Sequence, residues 1–131
     1  MKKSVTTGIP WLAAALLFLL ANTADARVLQ VWNCSLNEGK TGAEVEKVSA
    51  DWLKAVHTME SGKKFEVYLN YPMTGDADEG SFLFVLIAPD WASWGAFEDS
   101  YEDSAASKTD EAWNAVADCS GSSLWNSVKM E

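Results

Sequence analysis

His57 is the single histidine of the chain. Imidazole titrates near neutrality, so His57 is the first candidate for a general base. It also falls close to a predicted helix C-terminus, where the helix dipole favours it without any catalytic role. Asn33, a polar residue inside a predicted strand, is the second catalytic candidate. Trp91, Trp94 and Trp113 recur along a later helical stretch. They pack a core, or they form an aromatic wall around an apolar ligand with Asn33 as a polar contact from the sheet. One histidine must serve every catalytic set, and Gly-x-Gly-x-x-Gly, phosphate-loop and His-Glu-x-x-His motifs do not occur. Nucleophilic and zinc hydrolysis are therefore not expected.

Two further groups have plainer readings. Asp76-Ala77-Asp78-Glu79-Gly80 offers oxygen ligands of the kind Ca²⁺ takes. Ser81 and Ile87 stand where an EF-hand needs its Gly and its last Glu, so a solvated hairpin loop is expected and no metal. Glu98, Asp99, Glu102 and Asp103 repeat at i, i+4 spacing and read as a solvated helix face. Asn33-Cys34-Ser35 fits the glycosylation pattern, but a strand position argues against that use.

Cys34 and Cys119 are the only cysteines. They are expected to pair in an oxidising compartment, the alternative being two unrelated buried thiols. They do not form a Cys-x-x-Cys pair, which argues against redox catalysis. A bridge between them would close most of the chain into one loop, stabilising it by roughly 4–5 kcal/mol in the chain-entropy picture.

The chain has 131 residues, 48% of them hydrophobic, and a formal net charge of −9. That length suits one domain. The charge argues against nucleic-acid binding, which needs clustered Lys and Arg, and against an anionic membrane surface. Residues 1–26 read as a secretory signal peptide: Lys2 and Lys3, an apolar run from Trp11 to Ala21, then Ala24-Asp25-Ala26. At 1.5 Å per residue the run covers only about 16 Å, half a hydrocarbon core, so a membrane anchor is the poorer reading. The mature domain is expected to span residues 27–131 and to be periplasmic or secreted.

The elements that must position these residues follow in order. Val28 to Leu36 reads as a strand apolar on both faces, hence central. Thr41 and Glu44 form a capping box opening a helix whose stripe is Val45, Val48, Trp52, Val56 and Met59, with Gly62 as its C-terminal cap. Phe65 to Tyr71 alternates like an edge strand, and Pro72 stops it. Ser81 to Ala88 is apolar on both faces. Asp90 caps a long second helix, Trp91 to Asp118, broken near Ser104 to Ser107, with Thr109 capping its continuation. Ser122 to Met130 is the last strand. The order predicts an α+β, ferredoxin-like βαββαβ fold: a four-stranded antiparallel sheet of order 4-1-3-2 with two helices on one face. The end of the first strand then meets the start of the fourth, which brings Cys34 towards Cys119. Gln30, Trp32, Tyr68 and Trp125 are expected on the bare face of the sheet.

In element order and length, including the kinked helix led by Pro89-Asp90-Trp91, the chain resembles the dimeric α+β barrel superfamily, which includes antibiotic-biosynthesis-monooxygenase-like domains. The resemblance implies a homodimer joined through open sheet faces and a small ligand held between sheet and helices. Haem-degrading members use an Asn on the first strand, where Asn33 lies. Their haem-ligating His lies on the second helix, where this chain has none, so no haem and no other cofactor is expected. The reading is an exported small-ligand-binding or interaction domain with no evident catalytic set. The alternative is a cofactor-free monooxygenase- or isomerase-like enzyme acting on a small apolar substrate. N-terminal sequencing of the exported protein should begin Arg27-Val28-Leu29; an exported product beginning at Met1 would refute the cleaved leader.

Overall fold

The computed structural model describes residues 26–130. The expected leader lies almost wholly outside that range. The elements run β1 (Arg27–Leu36), α1 (Gly42–Val56), β2 (Glu66–Asn70), β3 (Ser81–Ala88), α2 (Trp91–Ser100), α3 (Asp110–Asn114) and β4 (Ala117–Ser127). A 3-10 turn at Ser107–Thr109 precedes α3. The sheet order is β2-β3-β1-β4, with every neighbouring pair antiparallel. This is the ferredoxin-like architecture that the element order predicts.

The core lies between the sheet and its helices. Val28, Cys34, Phe82, Phe84, Leu86 and Ala88 point from β1 and β3 towards Val45, Trp52 and Val56 of α1 and Phe97 of α2. Alternation along each strand makes this possible, since paired residues share a face. Helix α1 starts at the expected capping box: the Thr41 hydroxyl accepts from the Glu44 backbone N–H, and the Glu44 carboxylate accepts from the Thr41 N–H. The Asp90 carboxylate accepts from the Ser93 N–H at 2.7 Å and opens α2.

Five expectations need correcting. Helix α1 ends at Val56, with His57 as its C-cap, so Gly62 is not the cap. A Cβ on Gly62 would sit 2.4 Å from the Val56 carbonyl oxygen, so this glycine is required by a close backbone approach. The second helix is two short ones. Serine side chains take over the backbone groups between them: the Ser107 hydroxyl donates to the Glu102 carbonyl at 2.9 Å, and the Ser104 hydroxyl accepts from the Ser107 N–H at 3.2 Å. This is the competition with helical hydrogen bonds that serine offers. Thr109 precedes α3 without capping it, its hydroxyl donating to the Ala106 carbonyl instead.

Strand β4 begins at Ala117, five residues before the expected start, because pairing with β1 recruits the polar stretch Asp118 to Ser120. The last correction concerns faces. Gln30 is buried, and Trp32 packs edge-on against Phe84 with ring centroids 5.5 Å apart, so both point to the helices. Tyr68 and Trp125 do occupy the open face, with Leu29, Val31, Leu83, Val85 and Ile87.

Cys34 pairs directly with Cys119 across β1 and β4, and the two form a disulfide. Beside it the register slips between Trp32 and Asn33. Gly121, at φ +65°, is the extra residue of a bulge. The bulge reverses the alternation of β4, so Cys119 faces the helices while Trp125, an even number of residues later, faces away.

Two glycine substitutions should move stability in opposite directions. Gly62→Ala forces its methyl group against the Val56 carbonyl and is expected to cost about 1–3 kcal/mol. Gly95→Ala, inside α2 with nothing within 4 Å of the added carbon, should stabilise by about 0.5–1 kcal/mol. Urea denaturation of the two variants checks both signs.

Candidate functional site

Between the sheet and the helices lies a cavity of about 250 Å³. Trp32 from β1, Phe84 from β3 and Cys119 from β4 form its sheet side. Trp52 of α1, Tyr101 just after α2, and Asp110, Trp113 and Asn114 of α3 form its helix side. Phe84 is the hub. Trp32, Trp52 and Trp113 meet its ring at interplanar angles of 72°, 81° and 89°, with centroids 5.5–5.6 Å away. Edge-to-face packing of this kind suits the aromatic quadrupole.

The buried indoles need hydrogen-bond acceptors. Trp113 Nε1 donates to the Ser49 hydroxyl at 3.1 Å, and Ser49 is itself buried within α1. Trp52 Nε1 donates to the Tyr101 hydroxyl at 2.8 Å. That hydroxyl in turn donates to Asp110 Oδ1 at 2.5 Å. The result is a chain running indole to phenol to carboxylate, in which each bond polarises the next. Burial is the main cause holding the Tyr101 phenol well above the usual tyrosine range. Its bond to Asp110 adds to this, and the Trp52 N–H opposes it. Tyr101 therefore stays protonated and remains a donor to Asp110.

Of the residues expected to form the aromatic wall, Trp113 lines this cavity. Trp91 and Trp94 do not. They stack edge-on against each other 5.9 Å apart at the start of α2, where Trp94 Nε1 donates to the buried Gln30 Oε1 at 3.1 Å. Asn33 is exposed on the open face of the sheet, opposite Leu83 and Ser120. It borders a separate depression with Asn70, Tyr71 and Leu83. His57 is exposed at the end of α1, and its Nε2 lies 2.9 Å from the Phe65 carbonyl oxygen, a bond that ties the helix end to the start of β2. The structure thus places His57 and Asn33 on opposite sides of the sheet. Among the described residues no group of three or more His, Cys, Asp or Glu is arranged to hold a metal ion. The loop from Asp76 to Glu79 is exposed, as are Glu98, Asp99, Glu102 and Asp103. Partial burial raises the Glu98 carboxyl above its ordinary range.

Sequence reasoning missed Tyr101 as a polar group and missed Asp110 altogether. Neither residue type is conspicuous by itself at its position in the sequence. Their pairing spans the break between α2 and α3, where helical spacing carries no information.

No protein-family model and no curated protein sequence matches the chain. Solved structures do. SnoaB, a cofactor-independent oxygenase from Streptomyces nogalater, matches with a TM-score of 0.58 at 15% identity, over 80% of this chain and 96% of that one. A mutant of the same oxygenase gives 0.56 at 15% identity, over 82% and 97%. A putative antibiotic biosynthesis monooxygenase from Caulobacter crescentus CB15 gives 0.53 at 14% identity, over 82% and 93%. The chain therefore has the fold of antibiotic-biosynthesis-monooxygenase-like proteins.

The raised Tyr101 phenol sets a pH signature. Above the ordinary tyrosine range the unfolded chain loses this proton while the folded chain keeps it, so the folded state binds more protons and stability falls as pH rises. Below that range the contribution is fully present. In wild type, stability should therefore decline above about pH 10 more steeply than in Tyr101→Phe. The difference should stay under the one-proton limit of about 1.4 kcal/mol per pH unit, because the ring keeps part of its hydration. Paired urea titrations at pH 8 to 11 measure it; identical slopes would contradict the assignment.

Proposed function

We propose that this protein is an exported domain that binds a small, largely apolar molecule in the cavity around Phe84 and pairs with a second copy through its open sheet face. The observation that carries the reading is the cavity itself: apolar walls from four rings, with hydrogen-bonding groups gathered on one side at Tyr101, Asp110 and Asn114. That composition is the usual one for ligand sites, and its size, somewhat below the typical range, suits a small ligand. Asn33, Trp91 and Trp94, expected from the sequence as ligand contacts, take second place to Trp32, Trp52 and Trp113 on this reading.

The pairing rests on the open face. Leu83 is 38% exposed, Tyr68 50% and Trp125 59%, and Leu29, Val31 and Ile87 lie between them. A contiguous apolar surface of this kind normally meets a partner, and a twofold pair would bury it against itself. Export is supported by the disulfide, which persists in oxidising compartments. No helix among the described residues is long and apolar enough to cross a membrane.

The likeness to a cofactor-independent oxygenase favours a second reading, turnover of a small apolar substrate without a cofactor. The Tyr101–Asp110 pair would then be the polar group at the reacting centre, since His57 and Asn33 both lie outside the cavity.

Native mass spectrometry of the protein taken from the exported fraction tests the binding reading. A dimer carrying a small-molecule adduct is expected. Trp113→Ala should lose the adduct, and Leu83→Asp should give a monomer. A wild-type monomer without any adduct would sink both parts.

A further inference from the structure

We propose that the cavity around Phe84 is a cage for a small organic ammonium cation, with aromatic faces as its walls and the Asp110 carboxylate as its counter-charge. This rests on the ligand-binding reading above and adds the chemical class of the ligand.

Two observations carry it. The first is the ring arrangement. Three indoles stand nearly perpendicular to one phenyl ring, at 72°, 81° and 89°, and Tyr101 adds a fifth ring. All five rings line the cavity, so a bound group meets aromatic side chains from the sheet and from the helices at once. An ammonium group lacking strong hydrogen-bond donors is held by aromatic faces, tryptophan being the strongest.

The second is the charge. Among the described residues Asp110 is the only carboxylic acid lining the cavity, and no Lys, Arg or His lines it. None of the ion pairs among the described residues involves Asp110. Its hydrogen bond comes from the neutral Tyr101 phenol. A carboxylate held against apolar walls without a cationic partner is the complement of a cationic ligand. The Trp52 and Trp113 N–H groups are already bonded to Tyr101 and Ser49. Those two N–H groups are therefore not offered to a ligand as donors, and the walls they belong to are left without a hydrogen-bonding group of their own. The net charge of −9 draws cations towards the protein.

The test uses choline and its neutral carbon isostere, 3,3-dimethylbutan-1-ol, which match in shape and differ in charge. Calorimetry and tryptophan quenching on the intact, disulfide-bonded protein should show choline binding at least about tenfold tighter than the isostere. Asp110→Asn keeps an oxygen for the Tyr101 hydroxyl and removes the charge. It should abolish the preference, choline binding falling to no better than that of the isostere. Raising the salt concentration on wild type should weaken choline binding and not that of the isostere, a readout that survives if the variant fails to fold. Equal or tighter binding of the isostere overturns the cage and leaves the apolar site standing. Unchanged choline affinity in a folded Asp110→Asn, or binding of neither probe, also overturns it. The ligand-binding reading is judged separately, by the native adduct.

Discussion

The packing of three indoles against Phe84 is the constraint on which the rest of the helix layer depends. Flat, bulky rings that meet near right angles cannot fill space as aliphatic side chains do, so a void remains where they converge. Each indole also brings a donor that must be satisfied once water is excluded. Two of those donors fix further choices. Trp113 needs a hydroxyl on α1, which places the buried Ser49 in an otherwise apolar stripe. Trp52 needs an acceptor from the segment after α2, which draws in Tyr101 and, through it, Asp110. The polar side of the cavity is thus a consequence of burying tryptophan.

The sheet holds this arrangement from below by a different means. Strands β1 and β3 are central, and each supplies one ring to the cavity, Trp32 and Phe84. Strand β4 lies at an edge with a sequence poor in β-formers, and its pairing with β1 is secured covalently at Cys34–Cys119. The bulge at Gly121 lets one strand serve two surfaces. Before it, Cys119 faces the cavity; after it, Trp125 faces the open side. An unbroken alternation would have put Cys119 and Trp125 on the same face. The positive φ of Gly121 is therefore linked to both the pocket and the apolar surface.

Much of this fold was legible in the sequence because local rules and tertiary demands agree. Ser81 to Ala88 is apolar on both faces and is a central strand with those limits. The Thr41–Glu44 box and Asp90 act as caps as their types require. The failures cluster where a distant partner decides. Gln30 and Trp32 share a face with Val28, but parity alone does not say which face meets helices, and a Gln beside a Trp invited the wrong choice. Gly62 resembles a helix cap until the approach of Val56 is known. The start of β4 is set by the ladder with β1, which outweighs the low strand preference of Asp118 to Ser120.

The candidate site was the least legible part, and for a related reason. Sequence reasoning searches for residues whose chemistry is conspicuous alone, such as a single histidine, an asparagine in a strand, or tryptophans in a row. The conspicuous residues here have structural partners: His57 with the Phe65 carbonyl, Trp94 with Gln30. The cavity is built from residues that look like core until their orientation is known, together with an aspartate that looks like any exposed first-turn acid. What separates Asp110 from the acidic run at Glu98 to Asp103 is position. Those carboxylates are exposed and line no part of the cavity. Asp110 stands beside a ring cluster, bonded to a phenol that burial keeps protonated. Asp110 thus lines the aromatic cavity with a neutral phenol as its hydrogen-bond donor and no ion-pair partner among the described residues.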